Sequence, residues 1–277
     1  MILVTGATGT VGSEVVKQLQ RANAKFKIAQ RAKEKASSQS ADSVLFDYDD
    51  PSTFAPALKG IDKLFLLSPP GRTPLEPRVI DAAHKAGLKH VVKLSVYGAD
   101  GEDYIFAREH RAAEKKIESS GIAYTFLRPN GFMQNYVGNF GATIKSQGAF
   151  YLPAADSRCS VVDVRDIAAV AAAALTKPGH DGKIYTITGP EALSNSEIAG
   201  KLSRAVGKEI KYVAISDNDF RKALAGAPEG VVTALLDLMH YYISGKAARV
   251  TNDIERVTGK KPITFDQFAL DFKSSFA

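Results

Sequence analysis

The chain begins with a short apolar run, Ile2-Leu3-Val4, that breaks into Thr5-Gly6-Ala7-Thr8-Gly9-Thr10-Val11-Gly12. No other stretch restricts the fold as much. Three glycines at G-x-x-G-x-x-G spacing stand between a strand pattern and a helix pattern, because Val11, Val15, Val16 and Leu19 recur at helical spacing. That is the context a dinucleotide-binding loop requires. Gly6 permits the tight turn, Gly9 lets the backbone come close to a pyrophosphate, and Gly12 lets helix and strand pack closely. The helix N-terminus then offers unpaired N–H groups and the positive end of its dipole to the phosphates. Thr8, Thr10 and Val11 complete the expected cofactor loop. The competing reading is a tight structural turn that holds no ligand.

Strand and helix patterns keep alternating beyond this loop. Strands are expected at Phe26 to Ala29, Val44 to Phe46, Lys63 to Leu67, His90 to Leu94 and Tyr124 to Leu127. Asp50-Pro51 opens a helix that ends near Gly60, and Leu75, Val79, Ile80 and Ala83 mark another that ends at Gly87. A further helix covers about 105 to 119. Runs of Val, Ile and Leu separated by single helices imply a parallel sheet covered on both faces, the doubly wound α/β (Rossmann) class. After Gly131 the pattern loosens. Val161 to Val164 and Tyr185 to Thr188 read as strands, and 194–206, 217–225, 229–244 and 264–275 as helices. The expected division is a dinucleotide-binding core over 1–131 with 159–189 returning to it. A smaller, mostly helical substrate-binding lobe takes 132–158 and 190–277.

The end of the second strand bears on which nucleotide is bound. An Asp or Glu there would bind the ribose hydroxyls of NAD. This strand ends Ala29-Gln30-Arg31, with Lys33 and Lys35 following. Arg31 can meet a 2′-phosphate with a forked, charge-assisted contact, so NADP(H) is expected over NAD(H). The competing reading is a pair of solvated loop lysines and an arginine. Asp47, after the third strand, reads either as an acceptor for the adenine amino group or as a loop residue.

Composition removes several classes. The formal charge of +6 is spread along 277 residues, with no aromatic and basic tract of the kind that binds nucleic acid. The longest small apolar stretch, Ile167 to Leu175, is too short to span a bilayer, and Met1 to Gly6 does not resemble a signal peptide. The single cysteine, Cys159, allows no intrachain disulfide. A cytoplasmic location is therefore expected, with no membrane or nucleic-acid partner. His84, His90, His110, His180 and His240 lack metal-ligand spacing, so no metal is expected.

These residues together resemble the NmrA-like group of atypical short-chain dehydrogenases/reductases. The resemblance rests on Gly6 to Gly12, Arg31, Phe46-Asp47-Tyr48, Leu66-Leu67-Ser68-Pro69-Pro70, Leu94-Ser95 and Val162-Asp163-Val164-Arg165-Asp166-Ile167. The segment Leu127-Arg128-Pro129-Asn130-Gly131-Phe132-Met133-Gln134-Asn135 is more particular to the group. The resemblance implies that Ser68 and Pro69 edge the cofactor and that Asn130 to Phe132 flank the nicotinamide. Phe132, Met133 and Tyr136 read either as lining for an apolar acceptor pocket or as core.

Catalytic short-chain dehydrogenases use a Tyr with a Lys four residues later, and no such pair is expected in its usual place here: Tyr104 is followed at that spacing by Arg108. His110 and Glu114 stand four apart instead, an arrangement that resembles NmrA-like quinone and dye reductases. His110 can donate a proton near neutral pH, with Glu114 expected to raise its pKa. Ser95 and Tyr97, after the fifth strand, are the other catalytic candidates. The resulting expectation is an NADPH-dependent oxidoreductase acting on a small electron-poor acceptor of quinone, dye, imine or enone type. Two alternatives are a non-catalytic NADP(H)-binding redox sensor with a protein partner and, more weakly, an isomerase of the nucleotide-sugar epimerase type. Oligomeric state is left open.

Overall fold

The computed structural model describes residues 1–31 and 42–277. Lys33, Lys35 and the serines at 37, 38 and 40 lie outside the described residues. In chain order the first elements are β1 (Ile2–Val4), α1 (Thr10–Arg21), β2 (Phe26–Gln30), β3 (Asp42–Leu45), α2 (Phe54–Leu58), β4 (Lys63–Leu66), α3 (Glu76–Lys85), β5 (His90–Leu94), α4 (Ile105–Ser119) and β6 (Ala123–Pro129). Then come α5 (Gln134–Gly138), α6 (Gly141–Gln147), β7 (Ala149–Leu152), β8 (Arg158–Cys159), α7 (Val164–Thr176) and β9 (Lys183–Ile187). The chain closes with β10 (Leu193–Ser194), α8 (Asn195–Val206), β11 (Lys211–Ala214), α9 (Asp217–Ala223), α10 (Glu229–Ile243), α11 (Asp253–Thr258) and α12 (Phe265–Asp271).

Seven strands form one sheet in the order β3-β2-β1-β4-β5-β6-β9. The first six pair in parallel, with Val4 opposite both Ile28 and Phe65. The order reverses at β1, so the loop after β1 stands at the point where such sheets bind ligands. Leu3, Leu64, Val91 and Phe126 of the sheet are buried with Phe54 and Leu58 of α2, Val79 and Ile80 of α3, and Ile117 of α4. Val11, Val15, Val16 and Leu19 of α1 are buried as well, as are Ile167, Val170 and Ala174 of α7. This is the doubly wound fold expected from the alternating pattern.

The chain divides into two compact units. The first comprises Met1–Asp100, Ala107–Arg128 and Ile167–Tyr185; the second comprises Gly101–Phe106, Pro129–Asp166 and Thr186–Ala277. The returning segment is thus narrower than 159–189, and Asn130 and Phe132 belong to the second unit. Besides its helices, the second unit holds two small sheets: β7 with β11 in parallel, and β8 with β10 antiparallel. Val161 to Val164 is not a strand. Val162 makes one bridge to Phe132, the Gln134 side chain holds Asp163 and the Val164 N–H, and α7 starts at Val164. Among the described residues no helix is long and apolar enough to cross a membrane.

One consequence for stability concerns Asp166, in the first turn of α7. Its Oδ2 accepts from the Ile263 N–H at 2.8 Å, and burial pushes its carboxyl up to about 6. Asp163 adds to that rise, while the Ile263 bond and Arg165 oppose it. The unfolded carboxyl titrates near 4, so between about pH 4 and pH 6 the folded state binds more protons. Stability therefore falls as pH rises through that window, by about 2–3 kcal/mol, and levels off above it. The Asp166→Asn variant, whose amide oxygen keeps the Ile263 bond, is expected to lose this slope when urea unfolding is followed from pH 4 to pH 7.

Candidate functional site: a glycine loop and a buried polar row in the first unit

Thr5 anchors the turn. Its Oγ1 lies 3.0 Å from the carbonyls of Phe65 and Leu67, accepts from the Leu67 N–H at 2.8 Å, and takes the buried Tyr48 hydroxyl at 3.4 Å. The end of β1 is thereby tied to the end of β4. Gly6 then turns with φ at +64°, where a Cβ would lie 2.8 Å from the Leu67 side chain. Gly12 is tighter still: a Cβ there would stand 2.0 Å from the Gly6 carbonyl oxygen. Both positions exclude any side chain for the sake of the fold itself.

Gly9 is different. Its backbone is extended (φ −82°), and among the described residues an added Cβ would meet only the Gly6 oxygen, at 3.3 Å. The space in front of it is open, and Thr8, Gly9 and Thr10 are exposed. The first backbone bond of α1 runs from the Ser13 N–H to the Gly9 carbonyl at 3.0 Å. Among the described residues no side chain caps the helix, and no acid stands in its first turn. The N–H groups of Thr10, Val11 and Gly12 precede that bond, as an anion site requires. At the end of β2 the Gln30 Oε1 is buried without a hydrogen-bond partner among the described residues, an acceptor of the kind a ligand donor satisfies. Open glycine, uncapped helix and orphaned acceptor fit a dinucleotide.

Arg31 is exposed just past β2. Asp47 follows β3 and uses its Oδ1 to accept the Asp49 N–H at 3.0 Å, which closes a turn. Pro69 is exposed, and its carbonyl accepts the Arg72 N–H at 3.0 Å. Ser68 donates to Glu76 Oε1 at 2.8 Å and lies 3.2 Å from the Thr73 hydroxyl.

Behind Ser68 runs a polar row that the sequence reading missed. Glu76 of α3 and Lys93 of β5 are both fully buried and paired through Oε2 and Nζ. Lys93 Nζ also reaches the Leu94 carbonyl at 3.3 Å and Nδ1 of His110 at 3.2 Å. An ammonium has three donors and no acceptor, so Nδ1 is the acceptor and the neutral ring carries its proton on Nε2. Burial, reinforced by the Lys93 charge, holds His110 well below the usual histidine range. Burial pushes Glu76 up despite Lys93 and Ser68. A detectable signal existed: Lys93 interrupts the apolar run His90 to Leu94, and a charge inside a buried strand needs a partner.

The expected pairing of His110 with Glu114 does not form. Glu114 is fully buried and accepts both Nε and Nη2 of Arg128, at 3.0 and 2.7 Å. It also accepts Arg111 Nη1 at 3.1 Å and the Ser95 hydroxyl at 2.7 Å. Its four contacts turn it away from His110, and the histidine pKa moves down rather than up. Ser95 is buried in that clamp, and Tyr97 is buried as well.

In the second unit, Asn130 uses its whole amide. Nδ2 donates to Ser160 Oγ at 2.9 Å and to the Ala247 carbonyl at 2.8 Å; Oδ1 accepts the Gly131 N–H at 2.9 Å and Cys159 Sγ at 3.2 Å. Asn130 thus shapes the backbone on which Phe132 is partly exposed. Met133 and Tyr136 are core: Tyr136 packs against Phe140, Phe150 and Phe265. Burial pushes the Cys159 thiol up to about 12. One Tyr-x-x-x-Lys does occur, at Tyr242 in the last turn of α10 and Lys246 just beyond it. It lies far along the chain from the fifth strand, and Lys246 pairs with Asp103 at 2.9 Å. Among the described residues no group of acidic, histidine and cysteine side chains forms a metal site.

A doubly wound sheet with an open glycine loop at its switch point defines a dinucleotide-binding protein. The family model described as the NmrA-like family matches residues 1–268, and the chain belongs to that family. It is 38% identical over 284 aligned positions to the NAD(P)H azoreductase of Xenophilus azovorans, covering 100% of this chain and 99% of that one. The NADPH complex of the NADPH-dependent quinone oxidoreductase of Escherichia coli superposes with a TM-score of 0.89 at 30% identity, covering 98% and 99% of the two chains. The NADP(H) complex of Citrobacter sp. triphenylmethane reductase superposes with a TM-score of 0.86 at 26% identity, covering 98% of each chain.

Proposed function

We propose that this protein is an NADPH-dependent reductase that passes hydride to a small electron-poor acceptor, with quinones and azo or triphenylmethane dyes as the nearest models. The observation that carries the reading is the glycine loop. Gly9 leaves open space before an uncapped helix N-terminus, in a chain that matches an azoreductase along its full length. The backbone from Gly6 to Gly12 takes the pyrophosphate, with Thr8, Thr10 and Val11 around it. Arg31 takes the 2′-phosphate, Asp47 borders the adenine, and Ser68 and Pro69 edge the nicotinamide half. The family resemblance adds Asn130 and Phe132 as cofactor-binding residues, and the second unit serves as the acceptor-binding lobe. The bound dinucleotide supplies the hydride; the protein positions it and supplies a proton. Of the three catalytic candidates, His110 is the proton donor, because its Nε2 carries hydrogen. Ser95, held in the Glu114 clamp, and buried Tyr97 serve as supports.

The test mixes the purified protein with NADPH and, separately, NADH, and follows nicotinamide absorbance with a panel of quinones and dyes. Protein-dependent oxidation, faster with NADPH, is expected. The Arg31→Ala variant is expected to lose roughly ten- to a hundredfold of its preference for NADPH, the worth of one charge-assisted contact. Tight NADPH binding with no oxidation across the panel would overturn the enzyme reading in favour of a non-catalytic sensor.

A further inference from the structure

Resting on the reductase reading above, we propose that buried Lys93, held by Glu76, is the positioning residue and proton store behind His110. Lys93 fixes the His110 tautomer and refills the ring as it gives up its proton.

The geometry is a row of four side chains from three elements and one loop: Ser68 after β4, Glu76 on α3, Lys93 on β5 and His110 on α4. Each Lys93 donor has one acceptor, namely Glu76 Oε2, the Leu94 carbonyl and His110 Nδ1. A fully buried lysine and a fully buried glutamate are costly, and a hydrophobic pair of similar volume stabilises a fold equally well or better. Their placement one hydrogen bond behind a half-buried histidine gives the pair a purpose beyond packing. Among the described residues, Lys93 from β5 is the charged group whose field reaches His110. Glu76 of α3 stands behind Lys93. On α4 itself, Glu114 and Arg111 are joined to each other and to Arg128 and Glu118.

A neutral imidazole is a poor acid on its own, because loss of the Nε2 proton leaves an imidazolate. The Lys93 contact removes that difficulty. As the acceptor takes hydride, the Nε2–H bond of His110 breaks and that proton bonds to the acceptor. An Nζ–H bond of Lys93 breaks at the same time, and its proton bonds to Nδ1. The ring begins and ends neutral, Lys93 becomes an amine, and Glu76 keeps its hydrogen bond to it. After product leaves, water protonates Nε2 and the Nδ1 proton returns to Lys93. The hydride comes from NADPH and the net proton from solvent, so charge and atoms balance. Ser68 and Thr73 hold Glu76 in register.

The test has one arm without cofactor and one with it. Nitrogen NMR of the cofactor-free protein, with His110 assigned by its loss in His110→Gln, is expected to show Nδ1 unprotonated and Nε2 protonated throughout pH 6 to 8. In Lys93→Met/Glu76→Gln, which leaves no lone buried charge, His110 is expected to titrate at least one pH unit higher and to sample both tautomers. In single turnovers with NADPH and a quinone, the parent rate is expected to stay flat from pH 6 to 8. The double variant, left with only the imidazolium as donor, is expected to fall about tenfold per pH unit above its histidine pKa. Its NADPH affinity is expected to stay within twofold of the parent's. A parent ring protonated on Nδ1, or a double variant with the parent's flat profile and rate, would overturn the proposal while leaving the reductase reading intact. An absence of NADPH oxidation in the parent would instead overturn the reductase reading, and the tautomer arm would still decide the Lys93 contact.

Discussion

The Gly12→Val variant is expected to fail as a folded protein, with unfolding stability lowered by at least about 3 kcal/mol. Its Cβ would stand 2.0 Å from the Gly6 oxygen and 2.9 Å from the Ala7 Cα, both backbone atoms that cannot turn aside. Relief requires lifting α1 off the end of β1, which breaks the packing of Val11, Val15 and Val16, all buried. At Gly9 an added Cβ meets one oxygen at 3.3 Å among the described residues, which a shift of a few tenths of an ångström relieves. The Gly9→Val variant is expected to cost about 1 kcal/mol of stability. Its added carbons fill the space a pyrophosphate needs, so NADPH affinity is expected to drop at least ~100-fold, or ~2.7 kcal/mol. Thermal melts of the two variants beside NADPH titrations separate the two roles of glycine in one loop.

The second large effect is expected at Arg128. Its guanidinium holds Glu114 in a two-bond fork, and a third contact reaches Asp100 at 3.1 Å. Arg128→Met leaves Glu114 fully buried, with the partly exposed Arg111 as its remaining cation. Removing one partner of a buried pair typically costs 3–5 kcal/mol. Arg111 and the Ser95 hydroxyl offset some of this, so about 3 kcal/mol is expected in urea unfolding. Arg128→Met/Glu114→Met, which removes both charges, is expected to recover most of that loss. If the double variant were no more stable than Arg128→Met, the clamp would not be the cause.

The Leu-Arg-Pro segment was legible in the sequence as a landmark but not as a clamp. Nothing in its spacing says that Arg128 meets a glutamate fourteen residues upstream, because that contact depends on how β6 lies beside α4. The same limit explains the misread His110. Four-residue spacing puts His110 and Glu114 on one helix face, yet each finds a stronger partner on a neighbouring strand. The strand–turn–helix form of the glycine loop and the parallel strands are legible because their signals are local: apolar runs, glycine punctuation and helical periodicity. The second unit was harder. β7 and β11 are four residues each and pair with one another 62 residues apart in register, Lys211 with Ala149, so neither carries a local signal of its partner. Val161 to Val164 has strand-like composition, but it makes a single bridge, at Val162, and the Gln134 side chain ties Asp163 and the Val164 N–H into the start of α7.

The proposed reductase depends on the open glycine loop to hold the NADPH that drives reduction. The most direct test of that dependence is a side-by-side measurement of quinone-dependent NADPH oxidation by the parent and by Gly9→Val at matched protein concentration, with both confirmed folded by their melts. Steady oxidation is expected of the parent, with at least a ~100-fold loss of kcat/KM for NADPH in the variant and its melting transition retained. Undiminished oxidation by folded Gly9→Val would contradict that dependence.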